Sequence, residues 1–176
     1  MSVEIRLETL TLALRDPFDL LSAIGRDCVG AVQLLPPGEK PAGVSSIRTQ
    51  PLDEAGIEAL LRAVPTGEPF GSDEDPFRIS LAGAQEKTAL TFHRGRFCVP
   101  IASTPTTHIF KLPLGVVGRR GLDLRTSLEN EWLCSRLLRA FGVPVATSEL
   151  ARFGEVQTLV VARFDRKLDA SKKFWL

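Results

Sequence analysis

From Phe77 to Phe164 the apolar residues come in short runs broken by turn residues, and one longer helical run interrupts them. Phe77 to Leu81, Lys87 to His93, Arg96 to Ile101 and Thr107 to Leu112 read as strands. Turns are expected at Ala82-Gly83-Ala84, Arg94-Gly95 and Thr104-Pro105. Leu128, Trp132, Leu133, Leu137 and Leu138 then recur at helical spacing across Ser127 to Phe141, with Gly142 and Pro144 as the stop. Val145 to Arg152 and Val156 to Phe164 return to the strand pattern around a turn at Gly154. Strands, one helix and strands again predict an α+β unit built on an antiparallel sheet.

The front of the chain reads differently. A helix is expected to start at Asp16-Pro17, with Phe18, Leu20, Leu21 and Ile24 as its apolar positions and Gly25 as its stop. Cys28 to Leu35 suits a buried strand, and a second helix starts near Asp53, with Ile57, Leu60, Leu61 and Val64 on one face. Val3, Ile5 and Leu7 alternate like a strand, whereas Leu7, Leu10 and Leu14 suit a helix. Pro36 to Gly43 and Gly67 to Pro76 are rich in Pro and Gly, and the second suits a surface connection. Residues 1–68 are therefore expected to form a small α/β subdomain ahead of the α+β unit.

Charge excludes several roles. Against 22 Lys and Arg stand 21 Asp and Glu, a net charge of +1, so broad attraction to nucleic acid or anionic membrane is not expected. No apolar run approaches the roughly 18 residues of a membrane span. The opening Met1 to Glu8 carries two acids and no apolar block, unlike a secretory signal. A cytoplasmic protein without membrane contact is expected. Cys28, Cys98 and Cys134 lie far apart, with only His93 and His108 as imidazoles. No metal site or disulfide framework is expected, and the thiols are read as buried or half-buried.

Four local features could carry chemistry. Ser80-Leu81-Ala82-Gly83-Ala84-Gln85-Glu86-Lys87 is a small-residue turn between strands. It would let a phosphate approach open backbone N–H groups, although a plain hairpin turn would look similar. Lys111 ends a strand, where it is either a phosphate neighbour or a solvated edge charge. Glu131 lies on the helix twenty residues on, where it could fix that lysine. Acids in a first helical turn also favour the helix dipole, the better reading for Glu129. Arg163-Phe164-Asp165-Arg166 closes the last strand, where backbone groups could meet an adenine edge and Asp165 a ribose. The order of turn, strand lysine, helix glutamate and strand-to-connector hinge is that of a protein-kinase small lobe.

These stretches carry a resemblance. Pro17 to Asp27, Phe77 to Ser80 with Ala82 to Leu90, Pro105 to Gly115, Asn130-Glu131 and Arg163 to Arg166 resemble the HipA-type serine/threonine kinases of HipA–HipB toxin–antitoxin systems. The resemblance covers roughly Asp16 to Leu176. It implies that Ala82, Gly83, Ala84, Gln85, Glu86 and Lys87 face the phosphates of ATP, that Lys111 contacts them, and that Glu131 pairs with Lys111. Ala162, Arg163 and Phe164 would form the adenine hinge, with Asp165 beside it. Ser80 would be the autophosphorylated serine that shuts the kinase off. The implied partner is a HipB-like helix-turn-helix antitoxin, with DNA reached only through it. The implied target is glutamyl-tRNA synthetase, whose phosphorylation stalls growth and gives persistence.

On this resemblance, residues 1–68 are a remnant of the family's N-terminal subdomain, 69–166 the ATP-gripping lobe, and 167–176 the start of a connection to a larger lobe. Ala162 stands where the family often has Glu, a tolerable change if only its carbonyl is used. The family's first subdomain also begins earlier than Pro17. The catalytic Asp and Asn and the Mg-binding Asp are expected in the larger lobe, so no catalytic or metal-ligating residue is assigned here. The chain alone is expected to bind ATP weakly and not to transfer phosphate, unless a large lobe acts in trans. Two other readings stay open: a non-enzymatic module that binds the antitoxin, and a decayed fragment.

Overall fold

The structure, a computed structural model, describes residues 27–28, 32–35, 37–38, 40, 46–66, 70–72, 75–77, 85–118 and 121–168. The helix expected at Asp16, the first 15 residues, and the small-residue turn with Ser80, Ala82, Gly83 and Ala84 lie outside them. In chain order the elements are β1 (Thr49–Pro51), α1 (Glu54–Ala63) with one 3-10 turn (Val64–Thr66), β2 (Phe70–Ser72) and β3 (Asp75–Phe77). Then come β4 (Lys87–His93), β5 (Arg96–Pro100), β6 (His108–Lys111), β7 (Gly115–Val117) and β8 (Leu122–Leu124). The described chain closes with α2 (Ser127–Ala140), β9 (Ser148–Phe153) and β10 (Val156–Ala162). It is a mixed α+β fold.

Six strands form one antiparallel sheet in the order β1-β5-β4-β6-β10-β9; β2-β3 and β7-β8 are separate two-stranded ladders. Strand β4 is shared along its length. Lys87 to Leu90 pair with β6, and Thr91 to His93 pair with β5. Side chains alternate across a sheet, so the register Thr88–Phe110–Val160 places those three on one face. That face is the core. Phe110, Leu90, Val160, Val99 and Leu112 pack with Ile57, Leu60 and Leu61 of α1. The α1 stripe forms because apolar residues three and four apart share a side of the helix. Asp53 caps its start, accepting from the Gly56 N–H at 2.8 Å.

The opposite face of the sheet carries Lys87, Ala89, Lys111 and Leu159, and α2 lies on that side, with Gln157 of β10 donating to Glu129 at 2.7 Å. At its end Gly142, at φ 76°, lets its own N–H and that of Val143 turn back to Arg139 and Leu138. This is the Schellman closure that a helix-stopping glycine permits.

Several expectations are corrected. Val32 to Leu35 have no regular structure, so the strand expected over Cys28 to Leu35 is absent there. In α2 Leu128 is buried, but Leu133, Leu137 and Leu138 of the expected apolar stripe are exposed. The turn expected at Thr104-Pro105 falls at Ala102-Ser103, with Ala102 at φ 55°. Cys134 is exposed rather than half-buried. The β7-β8 ladder and β1 were not anticipated; their runs of three residues are too short to show a period. Among the described residues no helix is long and apolar enough to cross a membrane.

Candidate functional site

Lys87 opens β4 and Lys111 closes β6, and the antiparallel register makes them direct partners. Two cations thus leave the same face of the sheet side by side, an arrangement that like-charge repulsion disfavours. Burial, and then the charge of Lys111, push the Lys87 ammonium below its ordinary value. Its Nζ donates to the Gln85 carbonyl at 2.9 Å. The Gln85 side-chain amide in turn donates to the Leu112 carbonyl at 2.8 Å, tying the entry to β4 onto the end of β6. Glu131, on the first turns of α2, meets Lys111 with an Nζ–Oε1 distance of 2.5 Å. Glu131 thus pairs with Lys111, while Lys87 feels the charges of Lys111 and Glu86, and the two adjacent ammonium groups present donors to an anion. Glu86 is exposed at the mouth of this region.

Beside Glu131 lies an open pocket of about 380 Å³, lined by Gln85, Leu114, Leu124, Thr126, Ser127, Asn130 and Glu131. It is framed by the end of β6, the β7-β8 ladder and the start of α2. The Leu114 N–H donates to Ser127 Oγ at 3.0 Å, closing one side. Reading the sequence did not bring Leu114, Leu124, Thr126 or Ser127 to this place. The only local signal was their position between Lys111 and Glu131. The lysine pair fits a polyphosphate. Among the described residues no group of three His, Cys, Asp or Glu side chains could hold a metal ion.

The expected hinge residues gather elsewhere. The N–H of Ala162 donates to the Thr147 carbonyl at 2.8 Å, and that of Arg163 to the Thr107 carbonyl at 2.9 Å. Arg163 turns its guanidinium inward, gripping Asp165 with Nε and Nη2 at 3.0 and 2.8 Å. Its Nη1 meets Asp27 at 3.2 Å and Thr106 Oγ1 at 2.8 Å. Burial pulls the Arg163 pKa down, but hydrogen bonding to Asp165 and the charges of Asp27 and Asp165 outweigh it, and the net shift is upward. Arg166 reaches Asp27 Oδ1 at 2.8 Å and Asp165 Oδ2 at 3.2 Å. The Asp165 carboxylate is thus held by two arginines, while the Phe164 side chain projects into solvent, 90% exposed. Lys111 and Thr107 stand four residues apart on one strand line, so the two clusters are separated by about 13 Å.

Comparisons with known proteins point to one family. The family model for the HipA-like C-terminal domain matches residues 79–174. The putative kinase Y4mE of Sinorhizobium fredii is 36% identical over 169 residues, covering 94% of this chain and 38% of Y4mE. The serine/threonine-protein kinase toxin HipA of Shewanella oneidensis is 28% identical over 163 residues, covering 92% of this chain and 34% of the toxin. Among solved structures, a chain of the Shewanella oneidensis MR-1 complex of HipA, HipB and its operator DNA aligns with a TM-score of 0.65 at 26% identity. That alignment covers 96% of this chain and 37% of that one. The chain therefore spans little more than a third of the length of these relatives.

Proposed function

The chain belongs to the family of the HipA-like C-terminal domain, and from that premise we propose that residues 69–166 grip ATP as the smaller lobe of a HipA-like serine/threonine protein kinase. The observation that carries the reading is the cross-strand pair Lys87 and Lys111, with Glu131 bonded to Lys111. A polyphosphate laid against that pair relieves the repulsion between them, while Glu131 holds Lys111 in place. In this reading the turn from Ala82 to Glu86 covers the phosphates, and the segment from Ala162 to Asp165 meets the adenosine end. Mg²⁺, held by residues of a larger lobe, would supply charge neutralisation to the phosphates. Ser80 is the proposed site of autophosphorylation, a HipB-like antitoxin the proposed partner, and glutamyl-tRNA synthetase the proposed target.

Titration of the isotope-labelled chain with ATP and with inorganic tripolyphosphate tests the reading. Dissociation constants on the order of 1 mM are expected, with the largest resonance changes at Lys87, Lys111 and Glu131. Lys111→Ala should abolish both sets of changes. Wild-type resonances unmoved by either ligand would overturn the assignment.

A second reading has one observation in its favour, the match to a chain from a HipA, HipB and operator DNA complex. Here the chain is a non-enzymatic module that docks a HipB-like helix-turn-helix protein. Capture of such a protein, undiminished by Lys111→Ala and with no ATP binding, would favour it over the first.

A further inference from the structure

The connector after β10 is held from inside by a residue 136 positions earlier in the chain. Asp27 spreads one carboxylate over four donors. Its Oδ2 accepts from the Thr106 N–H at 3.1 Å, from the Thr106 hydroxyl, and from Arg163 Nη1 at 3.2 Å; its Oδ1 accepts from Arg166 Nη2 at 2.8 Å. The Cys28 carbonyl adds a common acceptor, taking Arg163 Nη2 at 3.2 Å and Arg166 Nη2 at 2.7 Å. The side chains of Arg163 and Arg166 are 3% and 4% exposed. Among the described residues two arginines and two aspartates meet here, away from water. Such clusters are a weak source of net stability, but they hold groups in one arrangement.

What they hold here is a short piece of backbone. Arg163 and Arg166 bracket Phe164 and Asp165. The amides of Ala162 and Arg163 are engaged inside the fold, and among the described residues the Phe164 amide makes no hydrogen bond. It is the first amide of the connector open to a ligand. The phosphate-side group of Lys87, Lys111 and Glu131 shares no member with this cluster.

We propose that Asp27 is a positioning residue for recognition of the nucleotide base. It touches no ligand, but by fixing both arginines it sets the direction of the Phe164 amide. The inference rests on the ATP reading above and adds that its two ends are built independently. A residue ahead of the sheet governs the base end alone.

The test compares binding of ATP and of inorganic tripolyphosphate by wild type, Asp27→Asn and Thr106→Val, with amide hydrogen exchange across residues 163–166 in the unliganded proteins. Asp27→Asn should speed exchange at Arg163, whose N–H is held by the Thr107 carbonyl, and weaken ATP about fivefold, the factor one neutral hydrogen bond supplies. Tripolyphosphate affinity should stay within about twofold of wild type, because no phosphate-side contact is altered. Thr106→Val removes only a hydroxyl from the cluster and should move both readouts the same way by less. It carries the test if Asp27→Asn does not fold.

Faster exchange at Arg163 with ATP affinity unchanged would reduce Asp27 to a structural role and overturn the proposal. Equal weakening of ATP and tripolyphosphate would overturn it too. Wild type that binds neither ligand would bring down the nucleotide reading itself, and this proposal with it.

Discussion

Gly154 and Glu58 approach so closely that a Cβ built on the glycine would fall 1.9 Å from Glu58 Oε2. Gly154 turns the β9-β10 hairpin at φ 54°, and its N–H donates to Glu54 Oε1 at 3.1 Å. The next amide, Glu155 N–H, donates to Glu58 Oε1 at 3.2 Å. Two carboxylates of α1 thus seat the hairpin turn on the helix. Gly154→Ala is expected to cost about 1–2 kcal/mol, chiefly from the left-handed backbone. Urea unfolding reads the loss. A double variant with Glu58→Ala should lose less than the sum of the two singles, since the clash has gone.

The charge balance on the sheet gives a second expectation. Replacing one of two facing ammonium groups relieves a repulsion. Lys87→Met should therefore leave the unliganded protein as stable as wild type or more so, by up to about 0.5 kcal/mol at low salt. The same variant should lose most of the thermal stabilisation that tripolyphosphate gives wild type. A variant less stable than wild type but equally stabilised by tripolyphosphate would contradict both halves.

The buried cluster at the connector should be costly to break. Among the described residues, Asp27→Asn leaves Asp165 as the carboxylate that Arg163 and Arg166 share. The expected loss is about 3 kcal/mol, the scale for an uncompensated buried charge. The exposed surface pair Arg125–Asp123 is the control; Asp123→Asn should not measurably change the urea midpoint.

A pH dependence follows from His108. Its ring packs among Phe92 and Phe97, and Thr107 Oγ1 lies 2.9 Å from Nδ1. Burial lowers its pKa, and the charge of Glu149 offsets this only in part. The folded protein therefore favours the neutral ring, while the unfolded chain takes up a proton near pH 6.5. Stability due to this group is fully present above that pH and is lost as pH falls toward the depressed folded value. Melting temperatures from pH 7.5 down to pH 5 check this, and His108→Gln should flatten the slope in that window.

Local signals made much of the sheet legible. Strands β4, β5, β6, β9 and β10 stand out because β-branched and aromatic residues lie between turn residues such as Arg94-Gly95 and Gly154. Helix α1 is legible twice over, in its stripe and in Asp53 placed three residues before Gly56. Helix α2 shows its bounds but not its covered side. Periodicity puts Leu133 and Leu137 on one side of the helix and Leu128 nearly opposite, and does not say which side a neighbour covers. The meeting of Lys111 with Glu131 could be anticipated from the order of elements. Asp27 meeting Arg163 could not, because an ion pair between distant segments leaves no pattern in either segment.

The division of β4 between two neighbours has a mechanical consequence. A strand bonded to β6 over its first half and to β5 over its second is a seam, and a seam can part on one side while the other stays sewn. Fraying that begins at Lys87 would run as far as Leu90 and meet a fresh set of bonds at Thr91. The end of the sheet that carries the paired lysines can therefore breathe without unzipping the Arg94-Gly95 hairpin behind it.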